Sequence, residues 1–260
     1  MTAMKRAAAP SLPLAEPAPP APNPAPFPYR DWTVAKDELE AALRRGTFYG
    51  LVTGASGTGK TSLCHAVAAT LDDARAQLLY LSASRVSLLS VVRYFAQVLR
   101  VVPRRSSVET TKALVDVIKE RSVRPVLWID EADHLPVVTL TELRSLVEFE
   151  PAPQPLLSLI LSGPPELRST LETPALFPLK RRLLVRAVLD GLRRDELDAF
   201  LLHRFGDAQR RLPVSLRDEL FERTRGAPAL VDRVIANALA RTTKMLGDGE
   251  LREALDAAGF

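Results

Sequence analysis

The chain has a single cysteine, Cys64, in 260 residues. One thiol excludes an internal disulfide and fits a reducing compartment, so a cytoplasmic location is expected. No apolar run reaches the ~18 residues that a spanning helix needs, so no membrane segment is expected. A secretory leader is set aside as well. Lys5-Arg6 and Ala7-Ala8-Ala9 begin like one, but Pro10, Pro13 and Pro17 break the apolar stretch it requires. No internal repeat is present. Charge of one sign is not in large excess: the net charge is +4 and the pI about 9.4. That mild basicity permits contact with nucleic acid without requiring it.

What is present reads as globular. Apolar residues make up 47% and charged residues 25%, and 260 residues suffice for one large domain or two modest ones with a sizeable core. Proline is unevenly spread. Nine of the 21 fall in residues 1–28, mixed with alanine. Such a segment cannot build a core, and a disordered, semi-extended tail is expected there. It reads as a leader or as a tether to a partner.

The central feature is Gly54-Ala55-Ser56-Gly57-Thr58-Gly59-Lys60-Thr61, between the apolar Tyr49–Thr53 and the helical pattern that starts at Ser62. It fits the phosphate-binding pattern G-x-x-x-x-G-K-[ST] in a strand–loop–helix context. Gly54, Gly57 and Gly59 let the backbone take positive φ and approach a polyphosphate without a Cβ clash. The N–H groups of the loop, through Ser62, then converge on phosphate oxygens at a helix N-terminus. Lys60 supplies a point charge for the β- and γ-phosphates, and the Thr61 hydroxyl is suited to Mg²⁺. ATP and Mg²⁺ are the expected ligands.

A helix is expected over Val34–Arg45 with Thr33 as N-cap, then strands near Tyr49–Thr53 and Gln77–Ala83, and helices over Ser87–Arg100 and from Ser106 to Arg121. Trp32 reads either as packing or as a platform for a base. His65, a lone histidine on the helix after the glycine loop, reads as structural. Val126-Leu127-Trp128-Ile129 is a buried parallel strand that delivers Asp130 and Glu131 at its C-terminal end, where open α/β sheets bind ligands. Asp130 is suited to the Mg²⁺ shell and Glu131 to activating a water. Trp128, two residues earlier, is the expected optical reporter of nucleotide. Thr139-Leu140-Thr141-Glu142 reads as a capping box, and residues 151–155 as a proline-rich turn. The strand Leu156–Ser162 ends in Ser162. Its hydroxyl suits a γ-phosphate contact or a local turn equally. Arg181-Arg182 before the strand over Leu183–Leu189 reads as an arginine finger or as a basic patch. From Arg193 onward the pattern is helical.

These elements in this order resemble the AAA+ branch of P-loop ATPases. The segments Val126–Leu135, Leu159–Leu167 and Leu179–Leu192 are similar to the subgroup that holds the ExeA/GspA-like ATPases and the transposon helper ATPases of MuB, TniB and TnsC type. The resemblance implies a parallel five-stranded sheet sandwiched by helices and followed by a small all-α lid. The resemblance covers about residues 27–245, and with the composition and patterns above the chain divides into a tail at 1–28, a nucleotide-binding domain at 29–190 and a lid at 191–260. It implies catalytic roles for Glu131, Ser162 (sensor 1) and Arg182 (a finger acting on a neighbouring subunit). One departure stands out: where such lids usually carry Gly-x-Pro-Arg, this chain has Gly226-Ala227-Pro228-Ala229, so that arginine is either replaced by Arg233 one turn on or absent. The helper ATPases imply a homo-oligomeric ring or filament on duplex DNA, with a transposase as partner and no membrane. Arg85, Arg104, Arg105 and Lys112 are the candidate phosphate-backbone contacts. A secretion-associated ATPase and a nucleotide-locked scaffold with negligible turnover are the competing expectations.

Overall fold

The computed structural model describes residues 25–72, 75–83, 87–121, 123–147, 155–241 and 244–259. Most of the expected tail, Arg85 and the turn at 151–154 lie outside the described residues. Along the chain come α1 (Arg30–Arg45), β1 (Tyr49–Gly54), α2 (Lys60–Thr70), β2 (Ala76–Ser82), α3 (Leu88–Val98), α4 (Ser107–Glu120), β3 (Arg124–Asp130), α5 (Val137–Val147) and β4 (Ser158–Gly163). They are followed by the short α6 (Glu166–Leu171) and α7 (Phe177–Lys180), then β5 (Leu183–Leu189), α8 (Leu197–Phe205), α9 (Val214–Thr224), α10 (Pro228–Arg241) and α11 (Asp248–Ala258).

The five strands are all parallel and lie in the order β2-β3-β4-β1-β5. Alternate side chains feed two apolar layers, one on each face, as strand periodicity requires. Val126, Trp128 and Ile160 join Leu63, Val67 and the helical C-terminal residues on one face. Leu127, Ile129, Leu159 and Leu161 join Val92, Phe95 and Leu140 on the other. This is why β3 and β4 read as unbroken apolar runs: both their faces are covered. β5 lies at the sheet edge, and Leu184 and Arg186 on one of its faces stay exposed.

Two helix starts differ from expectation. α1 begins at Arg30, and the Thr33 hydroxyl donates back to the Pro28 carbonyl instead of capping. Tyr29, extended and buried, takes the N-cap position because its phenol is anchored in the nucleotide loop. α5 begins at Val137 after Pro136, so Thr139 is buried within its first turn and no capping box forms there. The box expected at Ser106 and Glu109 does form, with both reciprocal hydrogen bonds present.

Candidate nucleotide site

The glycine loop leaves β1 and enters α2 at Lys60. Gly57 and Gly59 have φ of 82° and 98°, the left-handed region where a side chain is strained. Gly54 does not take positive φ. It is required for close approach: a Cβ there would stand 2.5 Å from the Leu189 carbonyl oxygen and 2.6 Å from Thr58 Oγ1. The Lys60 ammonium donates to the Gly54 and Ala55 carbonyls at 2.7 and 3.0 Å. Burial lowers its pKa, and Asp130, Asp133 and Glu131 oppose that shift. A polyphosphate bound against this loop would draw the ammonium off those carbonyls and restore its preference for charge.

Asp130 is the hub. Its Oδ2 accepts from Thr61 Oγ1 at 2.6 Å and from the Tyr80 phenol at 3.1 Å. Its Oδ1 accepts from Ser162 Oγ at 2.7 Å and from the Glu131 N–H at 3.0 Å. The donors come from α2, β2, β4 and the residue after β3, so the carboxylate is oriented from several sides. Burial, with Asp130 adding to it, pushes the Tyr80 phenol up, which keeps it a donor. The Thr61 and Asp130 oxygens would suit Mg²⁺, because they are hard oxygen ligands beside a phosphate loop.

Glu131 is held at φ 55°, a conformation that costs a non-glycine residue about 1 kcal/mol or more. Its own N–H is tied to Asp130, and its carboxylate accepts from Ser82 Oγ at 3.1 Å. The turn thereby aims an exposed carboxylate into the cleft. Ser162 is placed differently. It is fully buried, its Oγ accepting from Trp128 Nε1 at 2.8 Å and donating to Asp130. It therefore supports Asp130 from below and does not line the cleft. Arg182 lies at the other end of the sheet: it precedes Leu183, which pairs with Tyr49 at the start of β1, whereas the loop follows Gly54 at its end. β5 spans seven residues, roughly 23 Å at about 3.3 Å per residue, so Arg182 does not reach the cleft of its own chain.

A cleft of about 520 Å³ gathers these groups. Ser56 to Ser62, Asp130 and Glu131 line it, and Gly54 and Ala55 do not. The rest of the lining was legible in the sequence only at Trp32, read there as packing or as a base platform, and at the lid position Ala229. It comprises the segment at 25–29 with Trp32, together with Phe200, Arg204, Pro228, Ala229 and Asp232. Phe27 packs edge-on against Phe200, ring centroids 5.6 Å apart. The Tyr29 phenol donates to the Thr58 carbonyl at 2.6 Å. Trp32 is 6% exposed and lies against Gly59. From the helical C-terminal part, the Ala229 N–H donates to the Gly57 carbonyl at 3.1 Å, which seats the start of α10 on the loop. Arg233 does not replace an arginine at 229: it donates to the Ala258 carbonyl at the end of α11. Asp133 and His134 also line the cleft, their side chains 3.7 Å apart, with His134 3.9 Å from Glu131.

The fold and this site define a P-loop protein of AAA+ architecture. Residues 44–171 match the family described as an AAA domain. Over 229 residues the chain is 28% identical to general secretion pathway protein A of Aeromonas hydrophila, covering 82% of this chain and 41% of that protein. The chain thus spans less than half the length of that relative. Among solved structures, Cdc6p from Pyrobaculum aerophilum superposes with a TM-score of 0.69 at 17% identity, covering 92% of this chain and 69% of that one. The Aeropyrum pernix ORC1 protein in complex with DNA superposes with a TM-score of 0.62 at 18% identity, covering 92% and 68%. Among the described residues no helix is long and apolar enough to cross a membrane.

Proposed function

We propose that this chain is a Mg²⁺-dependent ATPase that assembles on duplex DNA with nucleotide bound. The observation that carries the reading is the convergence of Lys60, Thr61, Asp130 and Glu131 on one cleft beside a glycine loop. In this reading residues 29–190 bind nucleotide and 191–260 form a lid. The loop N–H groups and Lys60 bind the β- and γ-phosphates. Thr61 and Asp130 would hold Mg²⁺, which when bound supplies charge neutralisation at the phosphates. Glu131 accepts the proton of a water whose oxygen bonds to the γ-phosphorus as the bond to the β,γ-bridging oxygen breaks, yielding ADP and phosphate. Ser162 acts through Asp130. Arg182, exposed at the far end of the sheet, acts on a neighbouring copy.

DNA enters through charge. Arg104, Arg105 and Lys112 are exposed around the α3–α4 turn, with Arg100 beside them. Contacts of that kind go to the phosphate backbone with little sequence preference, and their affinity falls steeply with salt. The role that fits a DNA-assembled ATPase of this subgroup is a transposition helper that marks a site for a transposase. The similarity to a general secretion pathway protein favours a second reading, an ATPase of a secretion system that acts without DNA.

The deciding experiment is the ATPase rate of the full chain with and without duplex DNA, run beside sizing with ATP. Glu131→Gln is the control, expected to hold ATP while hydrolysis falls by about 10²-fold or more. Stimulation by DNA with ATP-dependent assembly on it supports the first reading. Hydrolysis indifferent to DNA, without assembly, favours the second. Absence of hydrolysis in the parent leaves a nucleotide-locked scaffold.

A further inference from the structure

Part of the cleft lining belongs to no helix, strand or glycine loop. Residues 25–29 run up to α1 without regular structure, and Ala25, Pro26, Phe27 and Tyr29 line the cleft. Pro28 is exposed and is not among the described residues that line it. The segment therefore has the cleft on one side and solvent on the other, with a single thickness of chain between them. Pro26 and Pro28 carry no N–H, so a regular backbone ladder cannot hold this strap.

Local ties hold it instead, and its two ends are tied to different parts of the fold. At one end the Tyr29 phenol donates to the Thr58 carbonyl in the glycine loop at 2.6 Å. At the other, His203 Nε2 on α8 donates to the Ala25 carbonyl at 3.0 Å. Between them the Phe27 ring stands edge-on to Phe200 with centroids 5.6 Å apart, and 5.5 Å from the His203 ring. A segment tied to the loop at one end and to α8 at the other crosses the cleft. The two ends differ in strength. Tyr29 is buried, and burial pushes its phenol pKa up, which keeps it a donor. His203 is exposed, so water competes for its hydrogen bond, and Phe27 is only partly buried.

We propose that residues 25–29 are a gate over the cleft, hinged at Tyr29 and latched to α8 through Phe27 and His203. Release of the latch lets a nucleotide enter or leave. Neither Lys60 nor a loop N–H takes part in the ties, so the gate acts alike on a nucleoside diphosphate and a triphosphate. The assignment rests on the reading of the cleft as a nucleotide site.

A gate that closes equally over the empty and the filled cleft scales entry and release by one factor and leaves affinity unchanged. A contact with the ligand changes release and affinity together. Stopped-flow mixing of the full chain with the fluorescent N-methylanthraniloyl derivative of ADP, in Mg²⁺, measures entry. Displacement by excess unlabelled ADP measures release. His203 is not among the described residues that line the cleft, so its effect has to pass through the strap. His203→Ala is expected to raise both rate constants about threefold and to keep Kd within about twofold. Phe27→Ala is expected to raise both by about tenfold. Faster release with unchanged entry overturns the gate in favour of a strap that contacts the nucleotide. Unchanged rates in both variants overturn it in favour of a fixed wall. If Phe27→Ala lacks a thermal transition, His203→Ala decides. A parent chain that does not bind the labelled ADP removes the nucleotide reading and this assignment together, whereas a binding parent with indifferent variants removes this assignment alone.

Discussion

Thr61 Oγ1 donates to Asp130 Oδ2 across 2.6 Å, joining the start of α2 to the end of β3, which lie 69 residues apart in the chain. Between β3 and β1, the strand that leads into α2, sits β4, and its Ser162 holds the other oxygen of the same carboxylate. The expected consequence concerns magnesium. Nucleotide binding to the parent tightens when Mg²⁺ replaces EDTA, and in Thr61→Ala that gain is lost while Mg²⁺-free binding persists. Titration of both proteins in both buffers checks it; a full Mg²⁺ gain in the variant removes Thr61 from the metal shell.

Ser162 is expected to matter first for stability. In Ser162→Ala the Trp128 N–H, fully buried, and one oxygen of Asp130 each lose a partner. A buried group left unpaired costs about 1–3 kcal/mol, and in a chain of this size each kcal/mol shifts the melting point by about 2–4 °C. Thermal unfolding followed by circular dichroism reads the shift. An unchanged melting point together with lost turnover would instead point to direct contact between Ser162 and the nucleotide.

The two tryptophans report different things. Trp128 is sealed in the sheet and reaches the cleft through Ser162 and Asp130. Trp32 borders the cleft beside Gly59, and its indole N–H has no partner among the described residues. Most of the fluorescence change on adding nucleotide is therefore expected from Trp32. Trp128→Phe keeps the change and Trp32→Phe loses it; the reverse result would return the reporter role to Trp128.

His65 sets an acid limit. Both ring nitrogens are buried without partners among the described residues, and the ring faces Tyr80 at 6.4 Å. Burial lowers its pKa, and Asp130 opposes the shift. The unfolded chain, with a histidine pKa of about 6.5, then binds the proton better. The stability this neutral histidine allows is full above that pH and is lost as pH falls below it. His65→Leu is expected to flatten that loss, seen as a smaller drop in urea stability between pH 7.5 and pH 5.5, buffer values chosen to lie roughly one unit either side of that pKa. Parallel drops in the two proteins would place the acid sensitivity elsewhere.

Elements whose signals are local were legible in the chain. Gly57, Gly59 and Lys60 declare a phosphate loop because positive φ and a helix start leave few alternatives. Val126–Ile129 followed by Asp130-Glu131 declares a buried strand with carboxylates at its ligand-binding end. Strand spacing and the helical C-terminal part followed from periodicity. Thr33 and Thr139 misled because a hydroxyl before an apolar run is a cap only if no better start lies upstream, and Tyr29 and Pro136 supplied one. The tertiary structure alone decided the second wall of the cleft. Tyr29, Arg204, Ala229 and Asp232 are brought to Gly57 and Thr58 by packing between segments far apart in the chain. No local pattern encodes that proximity, because it depends on how α1, α8 and α10 close over the sheet. The same holds for Ser162 and Arg182: each stands where a strand ends or begins, but only the register of β4 turns Ser162 inward to Asp130, and only the direction of β5 carries Arg182 to the far side.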